Sequence, residues 1–216
     1  MINFSATDKK EKLKAGTSHM FGSPDVPEYF EWPTSTTRYG DEIDMAFLCQ
    51  INCKDIKSDF LPPSGILYFF YNVAEQPATP NIKDAAKIFW FDEEEDKLST
   101  FRLVGSDGED LLPPSIVLDV TDGEYNVSIS TEYDDISENQ SEEDEFEEEF
   151  EDLDDFEEFE FDEEKSDDEM VVLASFKEYE DENVSFTFEK GSELCFLIKR
   201  SALEDLDFSD IRVLIV

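Results

Sequence analysis

Apart from carboxylates, this sequence of 216 residues offers few side chains that could do chemistry. His19 is the only histidine, and it lies in a Ser- and Lys-rich N-terminal segment, where we expect an exposed loop position. A histidine-based nucleophile and general base would depend on this single residue. The sequence therefore predicts no catalytic residue.

The three cysteines do not follow a metal-binding pattern. Cys49 and Cys53 are four positions apart, on a predicted strand and its exit, and Cys195 lies on another predicted strand. Tetrahedral zinc needs four thiolate or imidazole ligands, usually in closely spaced pairs. We therefore expect small buried core cysteines, with no metal site and no cofactor. The odd number of cysteines favours a reducing compartment, so we expect a cytoplasmic location.

Neither a phosphate-binding loop nor a built calcium site is predicted. The GSDG motif at 105–108 reads as a turn, because no helix with a Lys-Ser/Thr pair follows it. The acidic stretch that starts at Asp92 lacks the mid-loop glycine of a Ca²⁺ loop, so only weak, diffuse binding of divalent cations is expected. Carboxylate pairs for general acid–base catalysis remain open, because a chain with 57 acidic residues always offers pairs.

The charge balance favours a cationic partner. The chain has 57 acidic and 17 basic residues, a formal net charge of −40. Such a surface repels nucleic acids and anionic membranes and attracts basic proteins. No apolar run approaches the roughly 18 residues of a membrane-spanning helix, and the N-terminal residues lack the apolar core of a signal peptide. We expect a basic protein partner, no nucleic acid and no membrane; acidity that serves solubility alone is the alternative.

Much of this charge lies in one acidic–aromatic tract, residues 142–169, which holds 20 acidic residues and one lysine. Helical spacing would align its first three apolar side chains, but the later ones leave that stripe, and charge repulsion favours an extended free tract. A cationic partner would neutralise the charge and bury apolar anchors, each contributing about 1.5–3 kcal/mol. A tolerated insertion with no partner is the alternative. The candidate partner-binding residues are Phe146, Phe150, Leu153, Phe156, Phe159, Phe161, Glu148, Glu149 and Asp155.

Short apolar runs bounded by turn residues predict an α+β fold that is β-dominated and has few short helices. Three prolines within 21–33 require an extended path. The Asp-Gly pair in TDGEY at 121–125 predicts a hairpin. Ser201 with Glu204 predicts a helix opened by a capping box. The predicted strands are 2–4, 45–51, 66–72, 87–91, 101–104, 116–120, 125–130, 170–176, 184–188, 194–198 and 211–216.

Two pairs of these strands have similar spacing. MAFLCQI followed by GILYFFY, at 45–71, resembles MVVLASF followed by SELCFLI, at 170–198. This repetition predicts two related sheet-forming halves. The predicted organisation is an N-terminal segment, 1–20, and a single domain, 21–216, interrupted by a flexible acidic insertion at 134–169.

The same segments resemble the YwqG-like family of bacterial proteins. The family's opening signature resembles three segments here, GSPDVPEYFEWP, MAFLCQI and LPPSGILYFFY. Its closing strand and helix resemble GSELCFLIKRSALEDLDFSDI. One departure is that FEKGSE keeps only the glycine of the turn expected before the closing strand. The opening matches are Gly22, Pro24, Pro27, Trp32, Pro33, Phe47, Leu48, Gln50, Ile51, Leu61, Pro62, Gly65, Leu67, Phe69 and Phe70. The closing matches are Gly191, Leu194, Phe196, Ile198, Leu203, Asp207, Phe208 and Ser209.

The resemblance implies an intracellular, β-rich α+β fold with duplicated features and no established catalytic activity. Members that neighbour secreted-toxin genes suggest an immunity role. The signature positions expected to be structural are Gly22, Pro27, Trp32, Pro33, Gln50, Gly65, Phe69, Phe70, Phe196 and Phe208.

Three functional hypotheses follow from the sequence. The leading one is a non-enzymatic, immunity-like domain that binds a basic protein through its acidic–aromatic surface. The second is an enzyme that uses a carboxylate pocket near the Pro/Trp segment, where Trp32, Tyr29 and Tyr39 could line the walls. The third is a domain whose acidity has no specific partner.

Overall fold

Strands make up most of the regular structure, as the apolar runs predict. The computed structural model describes residues 1–7, 13–58, 60–80, 82, 84–123, 169–189 and 191–216. The chain divides into two units, one formed by Met1–Ser128 with Asp168–Val216 and the other by Ile129–Asp167, and the described residues all belong to the first. Every candidate partner-binding residue of the acidic–aromatic tract lies outside the described residues.

The described part contains one five-residue helix, α1 (Arg200–Glu204), and two 3₁₀ turns, Cys53–Asp55 and Glu95–Lys97. None of its helices is long and apolar enough to span a membrane. The strands are β1 (Ile2–Ala6), β2 (His19–Met20), β3 (Asp25–Pro27), β4 (Thr34–Thr36), β5 (Glu42–Asp44), β6 (Ala46–Asn52), β7 (Ile66–Tyr71), β8 (Ala86–Phe91), β9 (Leu98–Thr100), β10 (Ile116–Asp122), β11 (Met170–Lys177), β12 (Tyr179–Glu180), β13 (Ser185–Phe186), β14 (Glu193–Lys199) and β15 (Arg212–Ile215).

Nine strands of the described part form one large sheet in the order β15–β14–β11–β1–β10–β2–β6–β7–β8. Neighbouring strands are antiparallel except for β1 and β11, which are parallel. The remaining strands pair as β3–β9, β4–β5 and β12–β13. Residues 1–20 contribute β1 and β2 to the middle of the large sheet.

Strand β7 explains why the apolar runs are continuous. Ile66, Tyr68 and Phe70 pack in a smaller core cluster, and the three residues that alternate with them pack in a larger one. Successive side chains of a strand point to opposite faces of the sheet. A strand buried on both faces therefore has no polar positions in its sequence.

The strand pairs β6–β7 and β11–β14 have the same irregularity at the same place. The register shifts between Phe47 and Cys49 in the first pair, and between Val172 and Ala174 in the second. The residue after each shift lies opposite a phenylalanine of the partner strand. A third antiparallel strand follows on the outer side of each pair, β8 beside β7 and β15 beside β14.

Two predicted strands and one predicted turn differ from the structure. No strand forms at 101–104, because β9 ends at Thr100 and Val104 makes only an isolated bridge to Asp110. The predicted strand at 184–188 is reduced to β13. The predicted TDGEY turn does not begin at Asp122, because β10 continues through this residue, which pairs with Ile2 of β1; residues 124–130 lie outside the described part.

The predicted capping box is wrong. Helix α1 follows β14 without a break, and its N-cap residue is Lys199, whose side chain makes no capping hydrogen bond. Ser201 already lies inside the first turn, so it cannot serve as the N-cap that precedes a helix.

Candidate functional site

The proline-rich segment, residues 21–33, is fixed to the start of β6 by backbone amides. The Phe21 N–H donates to the Leu48 carbonyl oxygen at 2.8 Å, and the Met45 N–H donates to the Pro33 carbonyl oxygen at 3.0 Å. Because proline has no N–H, this segment forms no long ladder, and its one strand is the three-residue β3. Pro27 itself ends β3, which pairs with β9.

Gly22 allows this segment to turn sharply. Phe21 and Gly22 both have left-handed backbone angles, with φ of 54° and 70°. A Cβ atom at Gly22 would lie 1.9 Å from Ser115 Oγ and 2.9 Å from the Ser115 backbone. Only glycine combines this backbone angle with so close an approach.

Gln50 of β6 links the segment to the sheet from inside. Its side chain is fully buried; its Oε1 accepts the Asp25 N–H at 2.7 Å, and its Nε2 donates to Asp25 Oδ2 at 3.1 Å and to the Thr17 carbonyl oxygen at 3.0 Å. Asp25 also accepts bonds from the Gly16 N–H, at 2.9 Å, and from Thr100 Oγ1, at 2.8 Å. The Gln50 amide, the Gly16 N–H and the Thr100 hydroxyl together hold the buried Asp25 carboxylate in place.

An apolar cavity of about 520 Å³ opens beside this segment. Its size is within the range of small-molecule and side-chain pockets, and its walls come from several distant parts of the chain. Asp44 is the one carboxylate that lines it among the described residues. The rings that line it are Phe21, Trp32, Phe47, Tyr71, Phe101, Phe186 and Phe188.

Trp32 is held rigidly in the wall of the apolar cavity. Its Nε1 donates to the Met45 carbonyl oxygen at 2.8 Å, and its ring lies 4.7 Å from the Phe101 ring and 5.3 Å from the Phe70 ring. Of the three aromatic residues that the sequence offered for a pocket here, only Trp32 lines it. Tyr29 and Tyr39 are 63% and 81% exposed and lie elsewhere on the surface.

A second, polar cavity of about 360 Å³ also borders the segment, and the two cavities share Leu112 and Pro113 as lining residues. It is lined by His19, Ser23, Asp25 and other polar side chains. The expectation of an exposed His19 is wrong, since this residue is only 1% exposed. It is buried because β2 pairs with β6 on one side and with β10 on the other.

Of the remaining signature residues, Gly65 lies directly before a strand, and the phenylalanines pack in or against the larger core cluster or beside Trp32. Gly65, with φ of 88°, precedes β7, and a Cβ atom there would lie 2.5 Å from Trp90 Nε1. Phe69 and Phe196 pack ring to ring at 5.3 Å in the larger core cluster, and Phe208 packs against the same cluster.

The cysteines are buried and free, as predicted for core residues. Burial raises the thiol pKa of Cys49 well above its usual value and that of Cys53 to about 12. Across the described ranges, no group of three or more His, Cys, Asp or Glu side chains could hold a metal ion.

Comparison with known proteins places this architecture in a family. No curated protein matches the chain. One family pattern, Domain of unknown function (DUF1963), matches residues 18–215. The match covers the proline-rich segment, the apolar cavity, the lining of the polar cavity except Leu13, and the strands on either side of the acidic insertion. Because this match spans nearly the whole chain, the protein belongs to the DUF1963 family.

Proposed function

We propose that this protein is a non-enzymatic binding domain for a basic protein, and that the apolar cavity holds an apolar side chain of that partner. The observation that carries the proposal is the ring-lined cavity of about 520 Å³ on a chain with a net charge of −40. Long-range attraction would steer a cationic partner to the surface, and burial of one apolar side chain would contribute about 1.5–3 kcal/mol.

The composition of the cavity supports binding over catalysis. General acid–base catalysis needs groups that can give and take protons at one reacting centre. In the described part of the chain, this cavity presents Asp44 as its single carboxylate, among walls that are mostly aromatic and aliphatic. A carboxylate enzyme at the Pro/Trp segment therefore stays the alternative proposal, and acidity without a partner stays the third.

The acidic–aromatic tract would add a second contact to the same partner. Its nine candidate residues, Phe146 to Phe161, lie outside the described residues, and the proposal for them rests on their spacing among 20 acidic residues. An immunity-like role, in which the partner is a basic toxin, follows from the YwqG-like resemblance and is proposed on that basis. A cytoplasmic location is proposed with it, and the three buried free cysteines support it.

We also propose that the sheet contains two related halves. The support is the shared register irregularity, between Phe47 and Cys49 and between Val172 and Ala174, in strand pairs of similar spacing. In each half a third antiparallel strand extends the pair on its outer side. The acidic insertion would then separate two copies of a three-stranded unit.

The test is a calorimetric titration of the full chain with two lysine-rich peptides that differ in one position, leucine or glycine. We expect the leucine peptide to bind about tenfold or more tightly. Val73→Trp, at a 38% exposed position that lines the apolar cavity, should abolish this difference by filling the space. Val104→Trp, the same change at a 50% exposed position that does not line the cavity, is the matched control and should preserve it.

Replacing the six apolar residues of the tract by serine in the full chain tests the second contact. We expect weaker binding of both peptides with an unchanged leucine-to-glycine difference. Equal binding of the two peptides by the unmodified protein would contradict the proposal that the cavity holds an apolar side chain.

A further inference from the structure

The hairpin formed by β12 and β13 has an open edge on the β13 side. Next to its turn, the Asp181 N–H donates to the Val184 carbonyl oxygen at 2.8 Å. The following pair along the two strands is Glu180 and Ser185. Because hydrogen-bonded and non-hydrogen-bonded pairs alternate along an antiparallel ladder, the N–H and the carbonyl group of Ser185 point away from β12. Both groups therefore lie on the open edge.

The side-chain amide of Gln76 occupies the next part of this edge. Its Nε2 donates to the Thr187 carbonyl oxygen at 3.1 Å, and its Oε1 accepts the Glu189 N–H at 3.0 Å. The amide thus takes the place that the backbone of a neighbouring strand would take. Among the described residues, the N–H and carbonyl group of Ser185 and the N–H of Thr187 have no hydrogen-bond partner.

The open edge borders the apolar cavity. Five consecutive residues, 184–188, line this cavity, and so does Gln76. Successive side chains of a strand point to opposite faces, and in this stretch exposed side chains alternate with buried or half-buried ones. A cavity lined by all five residues lies along the edge of the strand and not only beneath one face.

The hairpin carries negative charge only. Residues 178–189 include five acidic residues and no basic one, and Asp44 adds a carboxylate to the lining of the cavity. Charged side chains keep an open sheet edge from pairing with other copies of the same chain. A second copy, with its net charge of −40, would be repelled here, whereas a basic segment would be attracted. The acidic residues are Glu178, Glu180, Asp181, Glu182 and Glu189.

We propose that the basic partner docks as an extended strand on the open edge of β13, next to the apolar cavity that takes its apolar side chain. In this mode of recognition, backbone hydrogen bonds provide affinity and pockets for alternate side chains provide specificity. The N–H and the carbonyl group of Ser185 would pair with the backbone of the added strand. Side chains on either side of the apolar one point to the opposite face. Lysines at these positions would stay in solvent beside the acidic hairpin.

The inference rests on the proposed function for its basic partner and deepens it, because it specifies the conformation of the segment that binds. A helix could place the same apolar side chain in the cavity. The backbone groups of a helix are bonded within the helix, however, so it would leave the open edge unpaired. The two modes therefore differ in whether binding depends on the backbone N–H groups of the partner.

The test is a calorimetric titration of the full chain with the leucine-containing lysine-rich peptide and two backbone-methylated derivatives. One derivative carries an N-methyl group on leucine, and the other carries one on each residue beside it, with side chains and charges unchanged. Neighbouring N–H groups of a strand point to opposite sides, so only one derivative loses hydrogen bonds to β13. We expect that derivative to bind about tenfold more weakly than the other.

The affected derivative also shows the direction of the added strand. An antiparallel strand bonds through the residues beside leucine, and a parallel strand bonds through leucine itself, because leucine must face the cavity in both cases. Methylation with the same effect at both places, or with no effect at either, would overturn the proposed strand addition.

A proline at Ser185 tests the edge from the side of the protein. Ser185→Pro removes no hydrogen bond of the hairpin, because this N–H points away from β12, but it places a ring on the open edge. We expect it to abolish the affinity difference between the two methylated peptides. Should this variant fail to fold, the difference measured with the unmodified protein decides alone.

Glu180→Pro is the matched control. Glu180 is the other member of the same pair, its N–H points away from β13, and it does not line the apolar cavity. We expect this variant to keep the affinity difference between the methylated peptides. Both peptides have the same charge, so loss of the Glu180 carboxylate affects them equally.

Strand addition and the apolar anchor can fail separately. A leucine-to-glycine difference without a methylation difference would overturn strand addition and keep the proposed function. A methylation difference with equal binding of the leucine and glycine peptides would support the strand on the open edge and contradict the apolar anchor.

Discussion

Replacement of Gln50 by leucine should destabilise the protein far more than the loss of one surface hydrogen bond would. Gln50→Leu keeps the side-chain volume close to the original but removes all three hydrogen bonds of the buried amide. The Asp25 N–H then loses its partner, at a cost of about 1–3 kcal/mol, and the Asp25 carboxylate loses a bond that contributes about 1.5–3 kcal/mol. Thr17 keeps the bond from His19 and adds little. The expected loss in the free energy of unfolding is about 3–5 kcal/mol.

Urea unfolding followed by the fluorescence of Trp32 and Trp90 measures this loss, with an unchanged dependence on urea concentration as the sign of two-state behaviour. Gln76→Leu is the matched control, because Gln76 also accepts one backbone N–H, from Glu189, and donates to one carbonyl, of Thr187, but these two hydrogen bonds are exposed and the residue is only half-buried. We expect the control to lose less than about 1 kcal/mol. Similar small losses in the two variants would refute the conclusion that Gln50 holds the proline-rich segment in place.

Two further predictions concern the same site. Gly22→Ala should lower the free energy of unfolding in urea by at least about 2 kcal/mol more than Gly40→Ala. Both glycines have left-handed backbone angles, but an added Cβ atom would clash with Ser115 only at Gly22. Equal losses would contradict the close approach of Gly22 to Ser115. Burial lowers the pKa of His19 in the folded chain, whereas its pKa in the unfolded chain is near 6.5. The stability contributed by neutral His19 is therefore present above about pH 6.5 and is lost as the pH falls through the lowered pKa. The stability difference between the unmodified protein and His19→Phe should therefore shift against the unmodified protein from about pH 7.5 to pH 5.5, and a constant difference would argue against the buried neutral ring.

The strands could be predicted because their burial appears directly in the sequence. The apolar runs that form β6, β7, β11 and β14 are nearly continuous, since these strands are largely covered on both faces. The apolar run at 101–104 was wrongly predicted to be a strand, because Phe101 is partly buried by ring packing and not by pairing in a sheet. Its ring packs on Trp32 at the edge of the smaller core cluster, and the backbone there has left the β3–β9 pair.

The candidate site was harder to predict because it depends on contacts between distant residues. The apolar cavity brings together Gly22, Trp32 and Phe186, and no local pattern places the last of these beside the first two. The segment around His19 is polar enough to indicate a loop, yet Gln50 pairs with it across the sheet. The useful signal was the resemblance of Gly22 and Trp32 to a family signature, since both residues line the apolar cavity.

The central claim, that a cationic protein surface docks on this domain, is tested most directly by titrating the full chain with a lysine-rich peptide over a series of salt concentrations. Attraction between a net charge of −40 and a basic ligand is screened over about 8–10 Å at physiological salt. We predict measurable heat in dilute buffer and an affinity that falls steadily as salt is added, with little heat from a neutral peptide of the same length. An absence of heat with the lysine-rich peptide, together with binding of an uncharged small molecule, would contradict the account.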